Sequence, residues 1–203
     1  GITAWLLARG YAVVLPLRPG HGATGGPYLE EQGRCGESTF LKSGDATADS
    51  IAAAIDYMVR QPFIRPAGII VVGNSAGAWG GLALAGRNPR GVAAVVGFAP
   101  GRGGHEYNRP GVNCSPDHLV SAAAAYGGTA RIPTLWLYAA NDTYFPPALS
   151  RRMADAFRAA GGRSEYDLLP PVGNEGHGLI LADGTATWAP YLAKFLACLH
   201  QKH

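Results

Sequence analysis

The sequence predicts an α/β fold: a mostly parallel sheet with helices on both faces. Three observations carry it. Short continuous apolar runs alternate with segments whose apolar residues recur at helical spacing. The runs are apolar at nearly every position, as strands covered on both sides must be. Polar residues of chemical interest then fall just after the runs, at the carboxyl ends of the strands, where open parallel sheets hold their sites.

The elements follow in order. Ile2, Trp5, Leu6 and Arg9 share one helical face, and Gly10 is a suitable stop. Tyr11–Leu17 is a β-rich run and is expected to be a strand. Residues 18–44 are a long Gly-dense loop. A helix is expected over 45–60, with Ile51, Ala52, Ile55, Met58 and Val59 on its apolar face and Pro62 just beyond its end. Gly68–Val72 reads as a buried strand, Ala76–Ala85 as a small-residue helix, and Val92–Phe98 as a further strand. A short helix is expected over His118–Tyr126 and a strand over Thr134–Ala139 after Pro133. Pro147–Ala160 carries Pro near its first turn and Leu149, Met153 and Phe157 on one face. A short strand over Glu165–Leu169 and a closing helix over Trp188–Leu199, with Trp188, Leu192, Phe195 and Leu199 aligned, complete the pattern.

A length of 203 residues with 47% apolar content suits one domain with a sizeable core. The net charge is +3 and no basic cluster exceeds Arg151-Arg152, so a nucleic-acid partner is not indicated. No apolar run reaches the length of a membrane span, and none reads as a signal peptide. No His/Glu or Cys/His spacing suggests zinc, and no cofactor is called for. The number of subunits is left open. Cys35, Cys114 and Cys198 allow two readings. Either all three are free thiols, with Cys198 packed in the last helix, or Cys35 pairs with Cys114, since both lie in polar Gly-rich loops. The pair would place the chain in the periplasm or outside the cell, and free thiols in the cytoplasm.

Chemistry concentrates at Gly73-Asn74-Ser75-Ala76-Gly77, between a buried strand and a helix. Gly-x-Ser-x-Gly in that setting is a nucleophile-elbow pattern. The tight turn is expected to need Gly at both flanks and to lift the hydroxyl above the sheet edge. Ala76 then opens a helix, where its free N–H can hold an oxyanion. A serine hydroxyl needs an imidazole as base, and the imidazole needs a carboxylate to fix its tautomer. Ser75, Asp142 and His177 follow one another in the chain in the order such a triad takes when laid across successive strand ends. His21, His105, His118, His200 and His203 are rival bases; Asp167, Asp183 and Glu175 are rival acids. Gly20-His21-Gly22-Ala23-Thr24-Gly25 matches a dinucleotide fingerprint, but no helix opens directly after it, so it is read as a loop shaping the pocket.

With Gly73–Gly77, Tyr138-Ala139-Ala140-Asn141-Asp142 and Gly176-His177-Gly178 in place, nearly the whole chain resembles an α/β-hydrolase of the dienelactone-hydrolase-like and prolyl-oligopeptidase-like branch. The resemblance implies a serine hydrolase acting on an ester of a small molecule. It makes Ser75 the nucleophile, His177 the base, Asp142 the orienting acid and the Ala76 N–H an oxyanion donor. Dienelactone hydrolases carry a cysteine nucleophile, so their lactone specificity does not carry over. The resemblance also calls for a second oxyanion donor from a loop that the sequence does not supply. The native product is therefore expected to extend upstream of Gly1; the alternative is a shortened sheet in which the strands at 11–17 and 68–72 pair directly. Position makes Asn74, Trp79, His105, Tyr107, Tyr144 and Phe145 pocket candidates. A peptidase and a non-catalytic binding member of the fold remain the alternatives.

Overall fold

The computed structural model describes residues 1–181 and 184–200. Helices α1 (Ile2–Leu7), α2 (Phe40–Met58), α3 (Ala76–Arg87), α4 (Pro116–Thr129), α5 (Pro147–Ala159) and α6 (Thr185–His200) alternate with strands β1 (Ile69–Asn74), β2 (Val92–Phe98), β3 (Thr134–Ala139) and β4 (Ser164–Leu169). The four strands form one parallel sheet in the order β1-β2-β3-β4.

Strand side chains alternate between faces, so a strand apolar throughout feeds two cores. Val95, Trp136 and Tyr138 face the layer built from α2 to α5. Ala94, Val96, Phe98, Leu135 and Leu137 face the opposite layer, where α6 supplies Trp188, Leu192, Phe195 and Leu196, with Ile2 and Trp5 of α1 beside them. Every residue of β3 is buried. Full burial of a large aliphatic or aromatic side chain is worth roughly 1.5–3 kcal/mol, so the doubly covered centre of the sheet carries much of the stability.

α2 begins five residues before the expected helix because Gly44, read as loop, is a packing position. A Cβ there would lie 2.2 Å from the Tyr126 hydroxyl and 3.0 Å from Trp79. The bare backbone lets both rings reach the start of α2: Trp79 Nε1 donates to the Phe40 carbonyl at 2.9 Å and the Tyr126 hydroxyl to the Leu41 carbonyl at 3.0 Å. Burial pushes the Tyr126 pKa up.

One expected strand is absent. Residues 11–17 run without regular secondary structure and do not join the sheet, so neither a strand there nor direct pairing with β1 is found. The run has the side chains of a strand but no ladder partner, and a strand exists only through bonds to a neighbour. Val14, Leu15 and Leu17 remain exposed. Cys198, expected to pack in the last helix, is exposed and free.

Candidate active site

β1 ends at Asn74 and α3 begins at Ala76, leaving Ser75 alone to reverse the chain. It does so at φ 51° and ψ −120°, a conformation that a non-glycine residue rarely adopts. Three backbone bonds hold it there: its N–H donates to Phe98 at 2.9 Å, and its carbonyl accepts from Trp79 at 2.9 Å and Gly101 at 3.4 Å. Gly73 is required, since a Cβ would lie 2.5 Å from the Ala78 nitrogen. Gly77 is not: the nearest atom to its Cβ position, Nη1 of Arg18, is 4.0 Å away. The expectation that both flanks need glycine therefore holds on one side only. The Ala76 N–H opens the 12-residue α3 without an intrahelical acceptor, facing the serine from a helix N-terminus.

Asp142 lies three residues past β3, with its side chain fully buried. Oδ1 accepts the N–H groups of Tyr144 at 2.8 Å and Phe145 at 2.9 Å, which leaves Oδ2 to meet Nδ1 of His177 at 3.2 Å. A carboxylate so placed can orient an imidazole and leave its Nε2 to act as a base. Among the described residues no hydrogen bond joins the Ser75 hydroxyl to the imidazole; such bonds tighten in the substrate complex. Ser75, Ala76 and His177 instead line one cavity of about 200 Å³, walled by Gln32, Gly101–Gly104, Tyr144 and Phe145.

Of the rival residues, Asp167, His21 and His118 lie elsewhere. Asp167 is in β4, where burial raises its pKa. His21 bonds the Pro19 carbonyl, and His118 lies in α4. Asp183, His203 and the side chain of His200 fall outside the described residues. Glu175 does not touch the imidazole ring; its Oε1 accepts the His177 N–H at 3.0 Å.

Tyr144 and Phe145 are where position placed them. His105 stands one layer back, stacked on Tyr144 with ring centroids 3.9 Å apart. Asn74 does not line the cavity, and its Oδ1 is buried without a partner. Trp79 is a correction: one helical turn past Ser75 it points down the flank of α3 into the core, fully buried. Tyr107 is another, 82% exposed and away from the cavity. Residues 20–25 fold into a loop with a 3-10 turn at Gly22–Thr24, with no helix to receive a pyrophosphate.

The wall contributed by Gln32 and Arg102 was missed. Gln32 and Gly103 exchange hydrogen bonds, Gly103 N–H to Oε1 at 3.1 Å and Nε2 to the Gly103 carbonyl at 3.4 Å. Arg102 and Arg18 share the carboxylate of Glu30, which is 2% exposed; the Arg102 bond is 2.8 Å. Only the glycine density of both loops hinted at a wall; no local pattern pairs residues about 70 positions apart. The disulfide Cys35–Cys114 joins the same two loops.

Burial opposes ionisation of Glu30, but the hydrogen bonds and charges of Arg18 and Arg102 outweigh it and lower its pKa from the ordinary 4.5. A carboxyl lowered on folding adds stability that is complete above its unfolded value and lost as pH falls through the folded one. Glu175 is lowered as well and acts with the same sign. The urea unfolding free energy is therefore expected to fall from pH 4.5 downward, and to fall less steeply in Glu30→Gln. Equal slopes in the two proteins would refute the assignment.

The model of the alpha/beta hydrolase family matches residues 2–200. No curated protein gives a significant match. Among solved structures, a puromycin-hydrolyzing peptidase of Mycobacterium tuberculosis superposes with a TM-score of 0.55 at 19% identity, over 79% of this chain and 26% of that one. A protein described as a dienelactone hydrolase, from Klebsiella pneumoniae, gives 0.53 at 19% identity over 78% and 63%. Esterase PE8 gives 0.52 at 20% identity over 81% and 66%. The chain thus spans between a quarter and two thirds of the length of these proteins, and the likeness is one of fold. With the family model matched across almost its full length, the chain belongs to the alpha/beta hydrolase family.

Proposed function

We propose that the chain is a serine hydrolase that cleaves a small carboxylic ester through an acyl-enzyme. The observation that carries this reading is the meeting of Ser75 and His177 in one cavity with a buried Asp142 behind the imidazole. Ser75 Oγ attacks the carbonyl carbon while His177 Nε2 takes its proton. Asp142 stabilises the resulting imidazolium, and the Ala76 N–H holds the oxyanion. Collapse of the intermediate expels the alcohol, protonated by His177. Water, deprotonated by the same imidazole, then releases the acid. No cofactor takes part.

The size of the cavity, about 200 Å³, favours a short acyl or aryl group over a long chain. Tyr144 and Phe145 offer it an apolar wall. The Cys35–Cys114 disulfide supports residence in an oxidising compartment, periplasmic or extracellular.

The test is intact mass after exposure to a fluorophosphonate, together with turnover of p-nitrophenyl acetate. One adduct per chain and measurable turnover are expected. A folded chain that takes no label and turns over no ester is a non-catalytic binding member of the fold. Cleavage of a Pro-containing peptide in preference to the ester would make it a peptidase.

A further inference from the structure

The base sits on an irregular loop that is fastened at separate points along its length. Between the end of β4 at Leu169 and His177 the chain passes Pro170, Pro171 and Gly173 without regular structure until the 3-10 turn at Gly176–Gly178. Asn141 secures the first part, accepting the Val172 N–H at 3.0 Å through Oδ1 and the Gly176 N–H at 3.2 Å through its carbonyl. It does not reach His177.

Glu175 does. Its Oε1 accepts two backbone N–H groups at 3.0 Å each, one from His177 and one from Thr143, the residue after Asp142. Its Oε2 takes the Thr143 hydroxyl, and Thr143 Oγ1 is in turn 3.1 Å from Nε2 of His105. His105 stacks on Tyr144, and Tyr144 stacks on His177 with centroids 4.3 Å apart. One carboxylate thus ties the loop bearing the base to the turn bearing the acid, and through Thr143 to the excursion after β2. We propose that Glu175 is a positioning residue of the hydrolytic site, holding the His177 backbone in register with Asp142 so that the imidazole meets both the acid and the serine.

The inference rests on the serine-hydrolase reading. Burial opposes ionisation of Glu175, but bonds from the Thr143 hydroxyl and from the two N–H groups, with the attraction of His177, lower its pKa and keep it an acceptor on both oxygens. An acceptor is what the geometry needs, because all three of its partners donate. Asp142 and Glu175 therefore divide the work, one on the ring and one on the main chain. This accounts for a second carboxylate two residues from the base that makes no contact with the imidazole.

The experiment compares fluorophosphonate inactivation of the wild type, Glu175→Ala, Glu175→Gln and Thr143→Val, resolving the maximal rate kinact from the affinity KI. Displacement of a reacting group by about 1 Å costs on the order of 100-fold in rate. Glu175→Ala is therefore expected to lower kinact by roughly 10- to 100-fold with KI within about twofold. Glu175→Gln keeps one oxygen for the two N–H groups and is expected to recover most of the rate. Thr143→Val, which removes one arm, is expected to lose roughly 3- to 10-fold. Wild-type kinact in Glu175→Ala, or a loss confined to KI, overturns the proposal while leaving the nucleophile in place. If Glu175→Ala does not fold, wild-type kinact in Thr143→Val overturns it. A wild-type chain that takes no label overturns both this proposal and the reading beneath it.

Discussion

Ser75→Ala is expected to abolish ester turnover and fluorophosphonate labelling while leaving the fold unchanged. Loss of the nucleophile of a serine triad costs about six orders of magnitude in kcat, leaving only the rate that binding and the oxyanion donor provide. The substitution keeps Cβ, so the turn at φ 51° and its bonds to Phe98, Trp79 and Gly101 persist. Unfolding in urea should therefore match the wild type to within a few tenths of a kcal/mol. That match is what gives the kinetic result its meaning. Residual turnover near the wild-type rate would place the nucleophile elsewhere, and an adduct surviving in Ser75→Ala would identify it by peptide mapping. Among the described residues, Ser75 is the one serine lining the cavity that His177 lines.

The second large effect concerns stability. Cys35 and Cys114 are 79 residues apart in sequence, and their bond closes a loop that takes in α2, β1, α3 and β2. In the chain-entropy account, closing a loop of that length disfavours the unfolded chain by roughly 4 kcal/mol. Cys35→Ser, Cys114→Ser and the double variant are all expected to unfold at lower urea by the equivalent of that figure, and to agree with one another. Reduction of the wild type should reproduce them. Cys198→Ser, which removes an exposed free thiol, should change nothing. The loss should also reach the site. Around the disulfide, Gly36 donates to Ser115 Oγ at 2.7 Å, and the Ser38 and Ser115 hydroxyls meet at 3.0 Å. These contacts fasten the loop bearing Gln32 to the excursion bearing Gly103 and Gly104, all three of which line the cavity. Coincident unfolding of the oxidised and reduced chains would show that these contacts alone suffice.

Most of the sheet was legible because it follows from local pattern. β2 and β3 occupy the residues the apolar runs marked, and β1 and β4 lie within two residues of them. A run apolar at every position can only be buried on both faces, so the layered arrangement follows from composition and spacing. The grouping of Ser75, Asp142 and His177 was legible for a related reason. In a parallel sheet all strands end on the same side, so polar residues just past Asn74, Ala139 and Leu169 converge without any need to know their contacts.

Trp79 was not legible because nearness in sequence to Ser75 is not nearness in space. The helix turns the residue four positions on toward α2, where the Phe40 carbonyl takes its N–H. Tyr107 failed because aromatic character does not say whether a loop residue faces the cavity or the solvent. Residues 11–17 failed because β propensity belongs to a segment, whereas a strand belongs to a pair.

By itself, then, the sequence determined what depends on local periodicity and on the order of strands: the doubly covered parallel sheet, the serine at a strand-to-helix turn, and the placing of Asp142 and His177 after later strands. Tertiary structure alone decided whatever requires two distant segments to meet. It chose between the two readings of the cysteines, set Arg102 and Arg18 on Glu30, made Gly44 a packing position in α2, and gave Glu175 its place between His177 and Thr143. The physical reason is the range of the interactions. Helical and strand periodicity is fixed by bonds and sterics within a few residues, while ion pairs, disulfides and the packing of a missing Cβ depend on distances that exist only after the chain has closed on itself.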